Sequence, residues 1–158
     1  MGKVCTRSEL VRIREDLRRA GQRVVFTNGC FDILHRGHIE YLKEAKRLGD
    51  VLIVAVNSDD SVRRLKGEMR PVIVEEDRTV VLAALEMVDY VIVFDEDTPI
   101  SLLGVLHPDV LVKGGDYRED EVVGAEVVRE YGGEVVVTQK TDGVSTSEII
   151  KQILQQVG

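Results

Sequence analysis

The chain has 158 residues, of which 44% are hydrophobic and 31% charged, and its formal net charge is −7. That length is one domain's worth, enough to bury about 70% of the unfolded surface. The acidic balance excludes a protein that coats nucleic acid with a basic face. No apolar run approaches the roughly 20 residues needed to span a bilayer.

MGKVCTRSELVRIRE lacks the apolar core of a signal peptide. Gly2 and Thr6 fit a short myristoylation pattern, but two fixed positions recur often by chance and one such chain anchors weakly. Cys5 and Cys30 read as thiols of a cytoplasmic protein. Leu10, Val11, Ile13 and Leu17 among charges predict an amphipathic helix over 7–20, which Gly21 ends. A first strand spans 23–28, and a helix runs from about 37 to Leu48. Val51 to Val56 is apolar without alternation, as in a strand covered on both faces. Asn57-Ser58-Asp59 caps a short helix, 66–71 is a loop, and Glu75 to Met87 reads as a helix before the strand Tyr90 to Phe94. Thr98-Pro99 opens the next helix with proline first. Val110 to Val112 is the fourth strand, a helix follows near 122–131, and Glu134 to Thr138 is the fifth strand. Ser145 caps a last helix that carries Ile149, Ile150, Ile153 and Leu154 on one side. These elements predict a single domain over 1–158, with 1–22 as a helical extension. Its fold class is α/β: a Rossmann-like five-stranded parallel sheet with helices on both faces.

The organising stretch is TNGCFDILHRGHIEYL, from Thr27 to Leu42. It is a strand end, a glycine-bearing loop and the start of a helix. A helix N-terminus carries unpaired N–H groups and partial positive charge, so it favours phosphate. Gly37 has no side chain to keep a polyphosphate from the backbone. His35 and His38 can donate to phosphoryl oxygens that gain charge during reaction. Helix capping and packing are the plainer roles for the same residues. Zinc is a further alternative, with Cys30 and Asp32 close by, but the spacing fits none of the common zinc patterns.

In a parallel sheet, ligands sit at the carboxyl ends of strands where strand order reverses. Four polar loops follow strands here, at 28–38, 57–60, 113–117 and 139–147. The G-x-G-x-x-G and G-x-x-x-x-G-K phosphate loops are absent. The chain therefore reads neither as a dehydrogenase nor as a P-loop kinase.

NGCFDILHRGHIEYL, AVNSD, KGEMRP, EEDR, VKGGDY and TDGVSTSEII together resemble the H-x-G-H nucleotidyltransferases over about residues 23–154. VKGGDY and NGCFDILH are most similar to the heptose 1-phosphate adenylyltransferases, many of which are fused behind a sugar kinase. The resemblance implies an enzyme in which a sugar 1-phosphate attacks the α-phosphorus of ATP and pyrophosphate leaves. It implies catalytic roles for His35, His38 and Lys46, although Lys46 also reads as a solvated helix lysine. Nucleotide binding is expected of Asn28, Gly29, Phe31, Asp32, Gly37, Lys113, Gly114, Asp116, Ser145, Thr146 and Ser147. For Ser145 to Ser147, plain helix capping is compatible with that role. The phosphorylated substrate is expected at Asn57, Lys66, Arg70 and Arg78. Mg²⁺ is expected with ATP, with Asp32 as an indirect ligand and no protein-built metal site. The implied partners are ATP and a phosphorylated small molecule, without nucleic acid or membrane, in a homo-oligomer.

Lys140-Thr141-Asp142-Gly143 departs from this pattern. It resembles the R-T-E-G stretch of glycerol-3-phosphate cytidylyltransferases, with Lys and Asp replacing Arg and Glu. A lysine keeps the charge and loses the planar fork. A cytidylyltransferase for glycerol 3-phosphate or an amino-alcohol phosphate and an FMN adenylyltransferase are therefore alternatives. A nucleotide-binding module without turnover is the non-enzymatic reading.

Overall fold

The computed structural model describes residues 1–115 and 117–158. Its strands are β1 (Lys3–Val4), β2 (Val24–Gly29), β3 (Val51–Asn57), β4 (Tyr90–Phe94), β5 (Val110–Gly114) and β6 (Glu134–Thr138). Its helices are α1 (Arg7–Arg19), α2 (Arg36–Arg47), α3 (Asp59–Lys66), α4 (Glu75–Ala83), α5 (Ile100–Leu106), α6 (Ala125–Glu130) and α7 (Thr146–Val157), with a 3₁₀ turn at Glu119–Glu121.

The strands pair in the order β1-β4-β3-β2-β5-β6, every pair parallel. From β2 the chain steps through β3 to β4, then crosses back to lay β5 on the other side of β2. Strand order therefore reverses between β2 and β5, and the crevice of such a sheet opens there. All residues of β3 are buried, as its unbroken apolar run requires. Phe26, Ile53, Ala55, Ile92 and Leu111 pack toward Leu10 of α1, Leu102, Leu103 and Leu106 of α5 and Val128 of α6. The alternate residues Val25, Leu52, Val54, Val91 and Val112 pack toward Leu42 and Ala45 of α2 and Leu82 and Ala83 of α4. Two buried faces from period-two alternation are what hold the sheet at the centre.

The sheet has six strands where five were expected. The extra one, β1, is too short for a hydrophobic pattern; it pairs Lys3 with Tyr90 and Val4 with Val91. Residues before α1 are thus part of the sheet edge rather than a purely helical extension. Gly2 donates its N–H to Ala83 O at 2.8 Å, and a Cβ there would lie 2.6 Å from Val88 O. That close approach accounts for the glycine. Helix α4 ends at Ala83, not Met87, because residues 84–88 turn back to meet β1 and β4. No helix among the described residues is long and apolar enough to cross a membrane.

Candidate active site

The loop after β2 turns sharply before α2. Phe31 adopts φ 48°, a left-handed conformation rare for a bulky side chain, with its ring buried 5.4 Å from that of His38. Such a strained residue persists only where its surroundings fix it. Here Asp32, whose side chain is 0% exposed, supplies the anchor. Its carboxylate accepts from the backbone N–H groups of Val72 (2.9 Å) and Ile73 (2.8 Å) and from Arg70 Nε (2.7 Å). Burial pushes this carboxyl up, but the two amides and Arg70 outweigh it and hold it below the usual range. Asp32 therefore welds the loop at 70–73 to the loop after β2, with both of its oxygens accepting hydrogen bonds from that loop.

At the N-terminus of α2, His35 is the N-cap and its Nδ1 accepts from Gly37 N at 3.1 Å. His38 Nδ1 accepts in turn from His35 N at 3.3 Å. A ring nitrogen that accepts carries no proton, so each imidazole keeps its proton on Nε2. The rings lie 3.9 Å apart between centroids. Burial lowers the pKa of both, and His38 falls to about 4 through burial and then the neighbouring His35. Both are thus neutral Nε2–H donors at physiological pH. Gly37 has a second reason to be glycine: a Cβ would lie 2.9 Å from His35 Cε1. The ring folds back over the backbone it caps.

A cleft of about 590 Å³ opens above these rings. It is lined by Asn28, Gly29, Cys30, Phe31, Asp32, His35, His38, Asn57, Lys66, Arg70, Lys113, Ser145, Thr146 and Ser147, all expected from sequence except Cys30, which reads there as a packing residue. A second recess of about 420 Å³ continues past Gly37 between His35, His38, Gly114, Tyr117, Lys140 and Thr141. Gly114 packs on Tyr41, whose ring a Cβ would meet at 3.0 Å. Burial and the charge of Lys66 push the Lys113 amine below its usual value, partly opposed by Cys30. Burial raises the Cys30 thiol, so the one sulfur in the cleft is no ready thiolate. At the start of α7, Ser145 Oγ caps Glu148 N at 3.1 Å, and Thr146 Oγ1 donates to Ile33 O at 3.1 Å. The last helix is thereby tied to the loop after β2. Thr141 Oγ1 also reaches Glu40 of α2, at 2.7 Å.

Two expected residues lie elsewhere, and one is outside the described residues. Lys46 sits at the far end of α2, roughly three turns from His35. Its Nζ binds Asp89 Oδ2 (2.5 Å) and Asp50 O (2.7 Å), a place that suits a cation at a helix C-terminus. It does not line the cleft. Arg78 has a side chain 0% exposed and touches no ligand space. It donates to Ile73 O (2.9 Å), Cys30 O (2.6 Å), Asn57 O (2.8 Å) and Asp59 Oδ1 (2.8 Å), fastening the ends of β2 and β3 together. It holds the backbone around the site and is not in the cleft lining. Asp116 lies outside the described residues.

Sequence reasoning did not reach Leu65, Asp97, Thr98, Pro99, Glu121, Val122 and Val123; Tyr117 and Val144, in the loops at 113–117 and 139–147, complete the lining. The loop from 95 to 99 follows β4, so the rule that found the other four loops points to it as well. The described residues hold no cluster of three or more His, Cys, Asp or Glu able to seat a metal ion.

The family model described as cytidylyltransferase-like matches residues 26–152. The chain is 54% identical over 154 residues to the bifunctional protein HldE of Syntrophotalea carbinolica, covering 98% of this chain and 31% of that protein. It is 59% identical over 138 residues to the bifunctional protein HldE of Geobacter sulfurreducens, covering 87% and 28%. It thus spans about three tenths of the length of these relatives. Among solved structures, a lipopolysaccharide core biosynthesis protein from Thermoplasma volcanium superposes with a TM-score of 0.63 at 35% identity, covering 77% of this chain and 98% of that one. A pantoate-beta-alanine ligase from Francisella tularensis gives a TM-score of 0.63 at 17% identity, covering 98% and 78%, a likeness of fold alone.

Proposed function

The chain belongs to the cytidylyltransferase-like family, and on that premise we propose that it transfers AMP from ATP to heptose 1-phosphate, giving ADP-heptose and pyrophosphate. The observation that carries this reading is the pair of neutral Nε2–H imidazoles at the N-terminus of α2, lining a cleft that also holds Lys66 and Lys113. A phosphate monoester has its second pKa near 6 and is largely dianionic at neutral pH. Its oxygen needs no general base to attack the α-phosphorus. Alignment and charge stabilisation are what the reaction lacks, and these residues supply them. As the new P–O bond forms and the bond to pyrophosphate breaks, His35 and His38 donate to α-phosphate oxygens whose charge is growing. The backbone N–H groups at the start of α7 hold the β- and γ-phosphates. Mg²⁺ brought with ATP would supply charge neutralisation on the triphosphate, beside Lys66 and Lys113 of the cleft.

The high identity to HldE proteins and the likeness to a protein named for lipopolysaccharide core biosynthesis support a heptose acceptor and adenine as the base. The reaction belongs in the cytoplasm, where ATP is. Exposed Val80 and Val81 on α4 and Ile153, Leu154 and Val157 on α7 support a homo-oligomer. The test is pyrophosphate release measured for ATP and CTP against heptose 1-phosphate, glycerol 3-phosphate, an amino-alcohol phosphate and FMN. ATP with heptose 1-phosphate should exceed CTP by at least about tenfold in kcat/KM, roughly 1.4 kcal/mol of transition-state preference. Equal or faster turnover with CTP would reject the heptose assignment.

A further inference from the structure

Two carboxylates of the cleft lining, Asp97 and Glu121, have no part in the chemistry above. At the carboxyl ends of β2, β3 and β5, Asn28, Asn57 and Lys113 continue the alternation of Phe26, Ala55 and Leu111, on the α1, α5 and α6 side of the sheet. His35 and His38 rise from α2, which packs on the other side. The strand ends therefore divide the cleft into a histidine half and a Lys113 half.

The lining that holds Lys113 and Lys66 also holds two carboxylates. Asp97 follows β4, and Glu121 closes the 3₁₀ turn, with Thr98 also in the lining. One oxygen of each carboxylate is fixed by the protein. Asp97 Oδ1 accepts from Arg64 Nε at 2.8 Å, and Glu121 Oε2 accepts from Arg118 N at 3.3 Å. Among the described residues no donor meets Asp97 Oδ2 or Glu121 Oε1. An ionised carboxylate only accepts hydrogen bonds. The oxygens left open favour neutral hydroxyl donors, through hydrogen bonds roughly twice as strong as neutral ones. Both carboxylates share the cleft wall with the half-buried Lys113.

We propose that Asp97 and Glu121 are specificity-determining residues of the acceptor subsite, reading hydroxyl groups of a polyhydroxylated phosphomonoester whose phosphate lies at Lys66 and Lys113. This rests on the adenylyl-transfer reading and adds which residues choose the acceptor. The two carboxylates act on the acceptor's tail, away from the reacting phosphorus.

The test is steady-state kinetics of Asp97→Asn, Glu121→Gln and the double variant, with ATP and heptose 1-phosphate varied separately. A deoxy analogue lacking the hydroxyls of the sugar's side chain serves as a second acceptor. Asp97 keeps a 59% exposed side chain and Glu121 is exposed, so these changes leave folding intact. The double variant should raise the acceptor KM by at least about tenfold, the scale of a lost hydrogen bond to a charged group. It should leave the KM for ATP within about twofold, and the preference of wild type for the hydroxylated acceptor should disappear in the variant. An unchanged acceptor KM, or an equal rise in both KM values, would overturn the subsite while adenylyl transfer stands. Wild-type protein that binds a non-hydrolysable ATP analogue yet releases no pyrophosphate with any phosphomonoester would sink adenylyl transfer and the subsite together.

Discussion

Replacing His38 with alanine separates chemistry from packing at the start of α2. The side chain does two things. Its Nδ1 accepts the His35 N–H at 3.3 Å, and its Nε2–H is left for a ligand. Loss of the first is loss of a cap, worth about 1 kcal/mol, or a fall of about 2–4 °C in melting temperature for a domain of this size. Loss of the second removes a donor to the transition state, about 10²–10³ in kcat, or about 2.7–4 kcal/mol. The second loss is the greater and decides the phenotype: His38→Ala should be a well-folded, slow enzyme. Binding of a non-hydrolysable ATP analogue, read by calorimetry, should fall less than kcat, because the donated charge grows only in the transition state. The protonation state is checked in the free enzyme by imidazole ¹⁵N NMR. His38 should titrate near pH 4 because burial, then His35, disfavours its cation. The unfolded chain, with an imidazole pKa near 6.5, then binds the proton in preference. Stability from this residue is therefore present above about pH 6.5 and lost as pH falls toward 4. A His38→Ala single-turnover rate within about threefold of wild type per nucleotide-binding site, where a lost donor predicts 10² or more, would refute the donor role. Titration of His38 at or above its ordinary value would refute the neutral state.

Three further outcomes follow from the same geometry. Lys46→Ala should leave kcat within about twofold and cost about 0–1 kcal/mol, as for a partly exposed pair, read by kinetics and melting curves; a hundredfold loss of kcat would return Lys46 to the chemistry. Arg78→Ala should cost about 3–5 kcal/mol because it strands buried carbonyls and the Asp59 carboxylate. Arg78→Lys should recover part of the stability without the fork that reaches Cys30 O and Asn57 O together, and urea unfolding reads both. Asp32→Ala should cost about 3–5 kcal/mol at pH 7. Because the Asp32 carboxyl is held low in the folded state, its contribution is present above about pH 4 and lost as pH falls through its folded value. The gap between wild type and variant in melting temperature should accordingly narrow on acidification.

Much of the fold was legible because the inner strands are unbroken apolar runs and the breaks between them are glycine, proline and polar caps. Strand β1 was not, since two residues give no period to read. The H-x-G-H loop announced itself through its place between a strand and a helix. The roles within it depend on which nitrogen accepts, and no sequence pattern contains that. Lys46 is near the loop in sequence, but helical rise carries it roughly three turns away from His35, to a partner on another loop. Arg78 and Asp32 look alike in sequence to ligand-binding charges. What separates them is burial against backbone groups from distant segments, a long-range property. Asp97 was within reach, for it follows a strand as the other lining loops do.

The central claim is a single direct displacement at the α-phosphorus, aligned by neutral donors and without an enzyme-bound nucleotide. It is tested most directly by the stereochemistry of transfer from ATP made chiral at the α-phosphorus with sulfur. Among the described residues of the cleft, burial raises the Cys30 thiol, and His35 and His38 turn their unprotonated Nδ1 atoms to backbone N–H groups. One displacement predicts inversion at phosphorus in the nucleotide-sugar product. Retention, which needs two displacements through a covalent nucleotidyl-enzyme, would contradict it.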